Sequence, residues 1–342
     1  MSPELRAGTA ELTEQDLEQL LATASGLRAE IGKVILGQQE AVEQLLIGLF
    51  AGGHCLLEGV PGLAKTLMIR TLARAVELSF KRIQFTPDLM PSDIVGTEIL
   101  EEEQGTGRRS FRFARGPIFA NLVLADEINR SPPKTQAALL EAMEEQEVTY
   151  GGETYLLDRP FFVLATQNPI EQTGTYPLPE AQLDRFLLNL RIDYPQLEHE
   201  IEILSATTGS EAPEVERVMT AGQVLAMQRL VRQVHISSGL IEWVAKVVRA
   251  SRPASSEVEL VTRFVDWGAG PRAGQALILT AKARALLAGR FAVSLDDLRA
   301  LVPPVLRHRI LLNFKGQAEG MSSDAVAAGI VATIGEAKSP LE

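Results

Sequence analysis

The sequence predicts an α/β fold: a three-layer αβα sandwich around a parallel five-stranded sheet, followed by an all-α lid domain. Three observations carry that prediction. Short apolar runs at 55–57, 121–126 and 161–166 stop abruptly at glycine-bearing or polar turns, as strands buried on both faces do. Stretches with helical apolar spacing separate them, so successive strands can run parallel through crossovers. From Ala221 onward helix signals follow one another and no strand is convincing.

In chain order, residues 1–12 read as a flexible tail. Thr13-Glu-Gln-Asp16 then opens a helix carrying Leu17, Leu20, Leu21 and Leu27, broken between Gly32 and Gly37. In that break Val34 and Ile35 precede Gly37, which suits a wall for an adenine ring; a plain helix connector would look the same. A helix through Val42, Leu45, Leu46 and Leu49 leads to the first strand at Cys55–Leu57, and another helix runs from Lys65 to about Val76. Residues 80–85 read as a strand and 86–91 as a proline-marked loop. Residues 96–113 read as an inserted hairpin around a polar turn, or as a solvated charged loop. Ser131 as N-cap and the prolines after it start a helix with Leu139, Leu140 and Met143 on one side. A second hairpin spans 148–157, turned at Gly151-Gly152. A strand at 161–166, a short helix at 178–186 and a last strand at 187–192 complete a core domain over 13–194. A connector follows at 195–220, including a polar helix through residue 208. The lid is expected over 221–342, with helices near 221–234, 239–252, 271–289, 294–312 and 322–336.

Composition narrows the function. The chain has 342 residues, room for two cores, and a net charge of −11 from 33 basic and 44 acidic residues, which makes nucleic acid an unlikely partner. A lone cysteine, Cys55, excludes an internal disulfide, and the four histidines are too scattered for a zinc site. No run nears the ~20 apolar residues of a membrane span, and the first residues lack an apolar signal core, so a soluble cytoplasmic protein is expected.

The chemistry concentrates in the stretch Gly59-Val60-Pro61-Gly62-Leu63-Ala64-Lys65-Thr66-Leu67. Two glycines let backbone N–H groups converge, and the helix beginning near Lys65 aims its positive end at the same point, which makes a phosphate cradle. Lys65 would reach the β- and γ-phosphates of ATP, and the Thr66 hydroxyl would ligate Mg²⁺. The strict pattern has glycine where Ala64 stands, so the bare segment also fits a chance strand-turn-helix. Asp126 and Glu127 end an apolar strand: Asp126 would hold Mg²⁺ and Glu127 would polarise the attacking water. An ordinary strand-to-helix junction is the plainer alternative. Asn168, ending a neighbouring strand, would hold that water or a γ-phosphate oxygen, or merely shape the turn before Pro169. Arg185 lies too far along the predicted sheet to serve its own subunit and would enter a neighbour's site, unless it only pairs with Asp184 or another acid. Arg272, opening a lid helix where a cation is disfavoured, points to an anion partner. Arg130 falls at a possible subunit boundary, and Arg307-His-Arg309 on surface or lid packing.

Gly-Val-Pro-Gly-Leu-Ala-Lys-Thr66, Asp126-Glu-Ile-Asn-Arg130, Ala165-Thr-Gln-Asn-Pro169, Leu178-Pro-Glu-Ala-Gln-Leu-Asp-Arg-Phe186 and Gly270-Pro-Arg-Ala273 together resemble the MoxR family of AAA+ ATPases. The resemblance runs from about Leu27 to about residue 314. In that family alanine often precedes the cradle lysine. The resemblance implies an AAA+ P-loop NTPase with sheet order 5-1-4-3-2, hairpin 96–113 as an insert in helix 2, and hairpin 148–157 before sensor 1. It likewise implies Asn168 as sensor 1, Arg185 as arginine finger, and Arg272 as sensor 2, acting in cis or in trans. Members resemble hexameric chaperones that mature or activate protein clients, often ones with von Willebrand A domains or metal cofactors. A magnesium-chelatase-like subunit and a nucleic-acid-acting motor are the alternatives.

Overall fold

Five parallel strands form the central sheet of the computed structural model, which describes residues 14–102, 109–169, 174–209 and 213–336. They are β1 (His54–Gly59), β2 (Phe80–Gln84), β3 (Leu122–Asp126), β4 (Phe162–Gln167) and β5 (Phe186–Ile192). Their spatial order is β5-β1-β4-β3-β2, the order the family resemblance implies. Register then aligns the polar ends: Gln84 lies opposite Asp126, Ala125 opposite Ala165, Glu58 opposite Gln167, and Gly59 opposite Ile192. All the chemistry-bearing strand ends therefore reach one edge of the sheet.

Alternation along each strand deals side chains to two cores. Leu57, Leu124, Leu164 and Leu190 face one, shared with α1 (Glu14–Gly32), α2 (Gln39–Ala51), α3 (Lys65–Ala75) and the lid. Leu56, Val123, Ala125 and Val163 face the other, where Leu139, Leu140 and Met143 of α4 (Pro133–Glu145) cover them. The apolar side of α4 is thus the one expected, but its start is not. Pro132 is the N-cap, and Ser131 is fully buried with a hydroxyl that caps nothing, because the helix begins one residue later than a serine cap requires.

Both hairpins form, pairing Gly96–Glu102 with Arg109–Arg115 and Glu147–Tyr150 with Glu153–Leu156. Gly151 and Gly152 have φ of 61° and 86°, the left-handed pair that a two-residue turn of matching twist needs. The hairpins are bound to each other by aromatic stacking: Phe113 lies 5.0 Å from the ring of Tyr150 and 4.6 Å from that of Tyr155. The tip of the first hairpin and the 1–12 tail fall outside the described residues. The loop at 86–91 ends in a short helix, Pro91–Val95, that proline content alone did not reveal.

After β5 come α5 (Leu197–Thr208), α6 (Ala221–Gln233), α7 (Ser238–Ala250), α8 (Pro271–Leu287), α9 (Leu295–Leu306) and α10 (Ser323–Ile334). The α5 helix is less polar than expected, with Leu197, Ile201 and Leu204 exposed along one stripe. The C-terminal part is also not purely helical: Val265–Trp267 pairs antiparallel with Leu311–Leu312. The segment after α9 ties the lid to β5. As an edge strand β5 presents unpaired carbonyls, and these accept from Arg307 Nη1 (Asn189 O, 2.9 Å), His308 Nε2 (Phe186 O, 3.0 Å) and Arg309 Nη2 (Phe186 O, 2.6 Å). Lid packing, not surface exposure, explains this basic triplet. Burial, helped by the Arg309 charge, holds His308 well below the usual histidine range and so neutral. Among the described residues no helix is long and apolar enough to cross a membrane.

Candidate nucleotide site

Between β1 and α3 the chain makes the turn that the glycines predicted. Gly62 has φ 89°, and a Cβ on Gly59 would stand 3.0 Å from Ile192 O of β5. Ala64 caps α3 in the left-handed conformation, φ 58° and ψ 19°. An L-residue there costs roughly 1–2 kcal/mol, which is why glycine suits this position. The Ala64 carbonyl accepts from Met68 N at 2.8 Å, closing the first helical turn, so the N-terminal N–H groups of α3 remain directed at the loop. Lys65 Nζ donates to Gly59 O at 2.6 Å, across the mouth of that loop.

The acidic pair is held by a polar network. Asp126 is 7% exposed; its Oδ2 accepts from Arg82 Nε (3.0 Å) and Nη2 (2.6 Å), and its Oδ1 from Thr166 Oγ1 (2.6 Å). Thr166 Oγ1 in turn accepts from Glu127 N at 2.9 Å. Glu127 is left-handed, φ 57° and ψ 49°, a strain of order 1–3 kcal/mol at a non-glycine residue, and this hydrogen bond helps keep it there. Its carboxylate accepts from Gln84 Nε2 at 3.1 Å and pairs with Arg130 Nη1 at 3.1 Å. Arg82 also donates to Gln84 Oε1, so the two acids share one chain of contacts. Asn168, 5% exposed, follows directly on the end of β4.

Arg82, Gln84 and Thr166 were not anticipated. The available signal was spacing: residues 82 and 84 share a face of β2, and register sets Gln84 beside Asp126. A hard cation fits the donor set of Asp126 and Thr66, both oxygen ligands. Among the described residues no three His, Cys, Asp or Glu side chains converge on a metal position. At the expected adenine wall, Ile35 is buried in the core. The glycine at 37 (φ 72°) makes room for the connector: a Cβ there would stand 2.8 Å from His199 Cβ. Val34 and Gly37 stay partly exposed.

Arg185 and Arg272 are elsewhere. Arg185 directly precedes β5 and Arg272 lies in the first turn of α8, and both meet Glu144 in the last turn of α4. Arg185 Nη2 is 2.8 Å from Oε2, and Arg272 Nη2 is 2.7 Å from Oε1. This is the amino end of the sheet, where His54 faces Phe186; the cradle is at the carboxyl end of the same strand. At ~3.3 Å per residue, the length of β1 puts roughly 17 Å between the two. Neither arginine stands beside its own cradle. The acid partner of Arg185 is Glu144, while Asp184 accepts from Arg309 Nε at 2.7 Å. Beneath Glu144, buried His54 uses Nε2 on Met143 O (3.1 Å) and accepts from Val163 N at Nδ1 (3.0 Å). Burial lowers its pKa to about 4.

Comparison with known proteins identifies the family of the chain. Residues 54–188 match the model of the ATPase family associated with various cellular activities (AAA), and residues 259–330 match the AAA lid domain. The chain is 44% identical to Chaperone MoxR1 of Mycobacterium tuberculosis over 89% of this chain and 80% of that protein. It is 30% identical to Protein MoxR of Methylorubrum extorquens over 90% of this chain and 92% of that protein. A solved structure from Cytophaga hutchinsonii superimposes with a TM-score of 0.88 at 42% identity, covering 95% of this chain and 98% of that one. An AAA core, an AAA lid and relatives matched over most of their length place the chain in the MoxR family of AAA+ ATPases.

Proposed function

We propose that the protein is a Mg²⁺-dependent ATPase that works as a homo-hexameric ring in the cytoplasm, with each nucleotide held between two copies. One observation carries this: both candidate arginines sit at the sheet end opposite the cradle. Stacked head to tail, one copy would present Arg185 and Arg272 to the triphosphate in the next copy's cradle. Such head-to-tail contacts form a ring where the rotation between copies closes.

Within one site the loop N–H groups of Val60, Gly62 and Leu63 and the Lys65 side chain bind the β- and γ-phosphates, with Pro61 shaping the loop and Leu67 in the first turn of α3 behind them. Val34 lies toward the base. Thr66 and Asp126 would hold Mg²⁺, which would supply positive charge to offset that of the phosphates. Asn168 orients water opposite the γ-phosphorus, and Glu127, aimed by Gln84 and Arg130, accepts its proton as the bond to ADP breaks. The partner's arginines offset charge on the γ-phosphoryl oxygens in the transition state. The chaperone name of the Mycobacterium tuberculosis relative supports a protein client, which we assign as one bearing a von Willebrand A domain or a metal cofactor. The net charge of −11 speaks against nucleic acid.

The test is Glu127→Gln. The variant should retain ATP on a desalting column yet lose steady-state hydrolysis; unchanged turnover would overturn the assignment.

A further inference from the structure

We propose that Glu144 is a positioning residue that yokes Arg185 and Arg272 into one two-armed clamp for the phosphoryl group of a neighbouring copy's nucleotide. The proposal rests on the reading above that these arginines act in trans. Each oxygen of the Glu144 carboxylate takes one Nη, 2.8 Å from Arg185 and 2.7 Å from Arg272. The two guanidiniums are thus spaced to grip adjacent oxygens of a single anion. Carboxylate and phosphoryl groups present matching oxygen pairs to arginine. A guanidinium carries five N–H donors, so the contact with Glu144 leaves donors on both arms for a second anion.

All three members are fixed from behind. Glu144 follows Met143, whose carbonyl accepts from buried His54. The Arg185 backbone is anchored through Asp184, which takes Arg309 Nε at 2.7 Å and, at its carbonyl, Arg309 Nη2 at 3.2 Å. Arg272 follows a loop in which Ala269 N donates to Ser251 Oγ (2.9 Å) and Ala269 O accepts from Arg252 Nε (3.0 Å). The cavity of about 230 Å³ lined by Glu144, Arg185, Arg272 and Gln275 opens beside the clamp and has room for a phosphoryl group.

Stability is not what the arrangement provides. The three side chains are 29–53% exposed, and ion pairs so solvated add little to folding. Without a shared anion, however, two adjacent guanidiniums repel and each regains rotamer freedom, which would have to be lost again at every turnover.

The experiment uses full-length Glu144→Gln, checked for parental thermal unfolding, alone and mixed in equal amounts with Glu127→Gln. Alone, its turnover at saturating ATP should fall about 10- to 100-fold, the loss expected of misplaced charge-stabilising groups. In the mixture, Glu127→Gln subunits lend intact arginines to intact Glu144→Gln pockets, and hydrolysis should recover toward about a quarter of the parental rate, the share of interfaces so composed. Full activity of Glu144→Gln alone, or a loss that the mixture does not repair, overturns the proposal. If Arg185→Ala is also not repaired by Glu127→Gln, it is the trans reading that has failed and not the role of Glu144 alone.

Discussion

Replacing His54 with Gln should remove a component of the protein's acid sensitivity that can be computed from the fold. In the folded chain the imidazole is buried as a neutral group, with Nε2–H on Met143 O and Nδ1 accepting from Val163 N. Its pKa drops from 6.5 to about 4, because burial disfavours the cation. The unfolded chain therefore binds a proton at pH values where the folded chain does not, and stability must decline as pH falls from 6.5 toward 4. Linkage gives a loss of about 1 kcal/mol between pH 7.5 and 5.5, growing to about 3 kcal/mol near pH 4. Glutamine keeps a donor and an acceptor but does not titrate. Urea unfolding followed by circular dichroism at pH 7.5 and 5.5, both above the sequence pI of about 5.1, measures the difference. His308 shifts in the same direction but is present in both proteins, so it cancels. If parent and His54→Gln lose the same stability over that interval, the neutral, doubly bonded histidine is refuted.

Two further outcomes follow from the cradle and the acid network. Ala64→Gly removes a side chain from a left-handed position and should raise stability by about 1 kcal/mol, read as a higher thermal midpoint, whereas a fall would show that φ of 58° carries no strain. Thr166→Val leaves Asp126 Oδ1 and Glu127 N each short of a bond, so it should cost about 1–3 kcal/mol in urea unfolding. With Asp126 in the Mg²⁺-holding role proposed above, it should also slow ATP turnover about 10- to 100-fold, the loss expected when a residue orienting such a carboxylate is removed. Parental kinetics in that variant would show that the network is dispensable.

What could be read from the sequence was what is local. The cradle is one continuous turn, and Asp126-Glu127 end one apolar run, so composition and spacing reveal both. The partners that aim them come from register. Thr166 meets Asp126 only because β4 lies beside β3, and Arg82 only because β2 is the next strand out. Glu144 carries no local signal at the end of α4; it becomes distinctive once β5 and α8 bring two arginines to it. His54 gave no signal as the first residue of a strand. The basic triplet at 307–309 could be placed in the lid, but its use as a cover for the β5 edge required knowing that β5 is an edge. Ser131 misled for the opposite reason: a local cap pattern was present, and tertiary packing buried the hydroxyl instead.

The central claim, a nucleotide site completed by a second copy, is tested most directly by mixing two inactive proteins. Arg185→Ala keeps its own pocket, and Glu127→Gln keeps its own arginines. Each alone should hydrolyse ATP at background, and an equal mixture should recover about a quarter of the parental rate, because random placement sets an intact pocket beside intact arginines at about one interface in four. A mixture that stays as inactive as its components, or Arg185→Ala protein that is fully active alone, would contradict it.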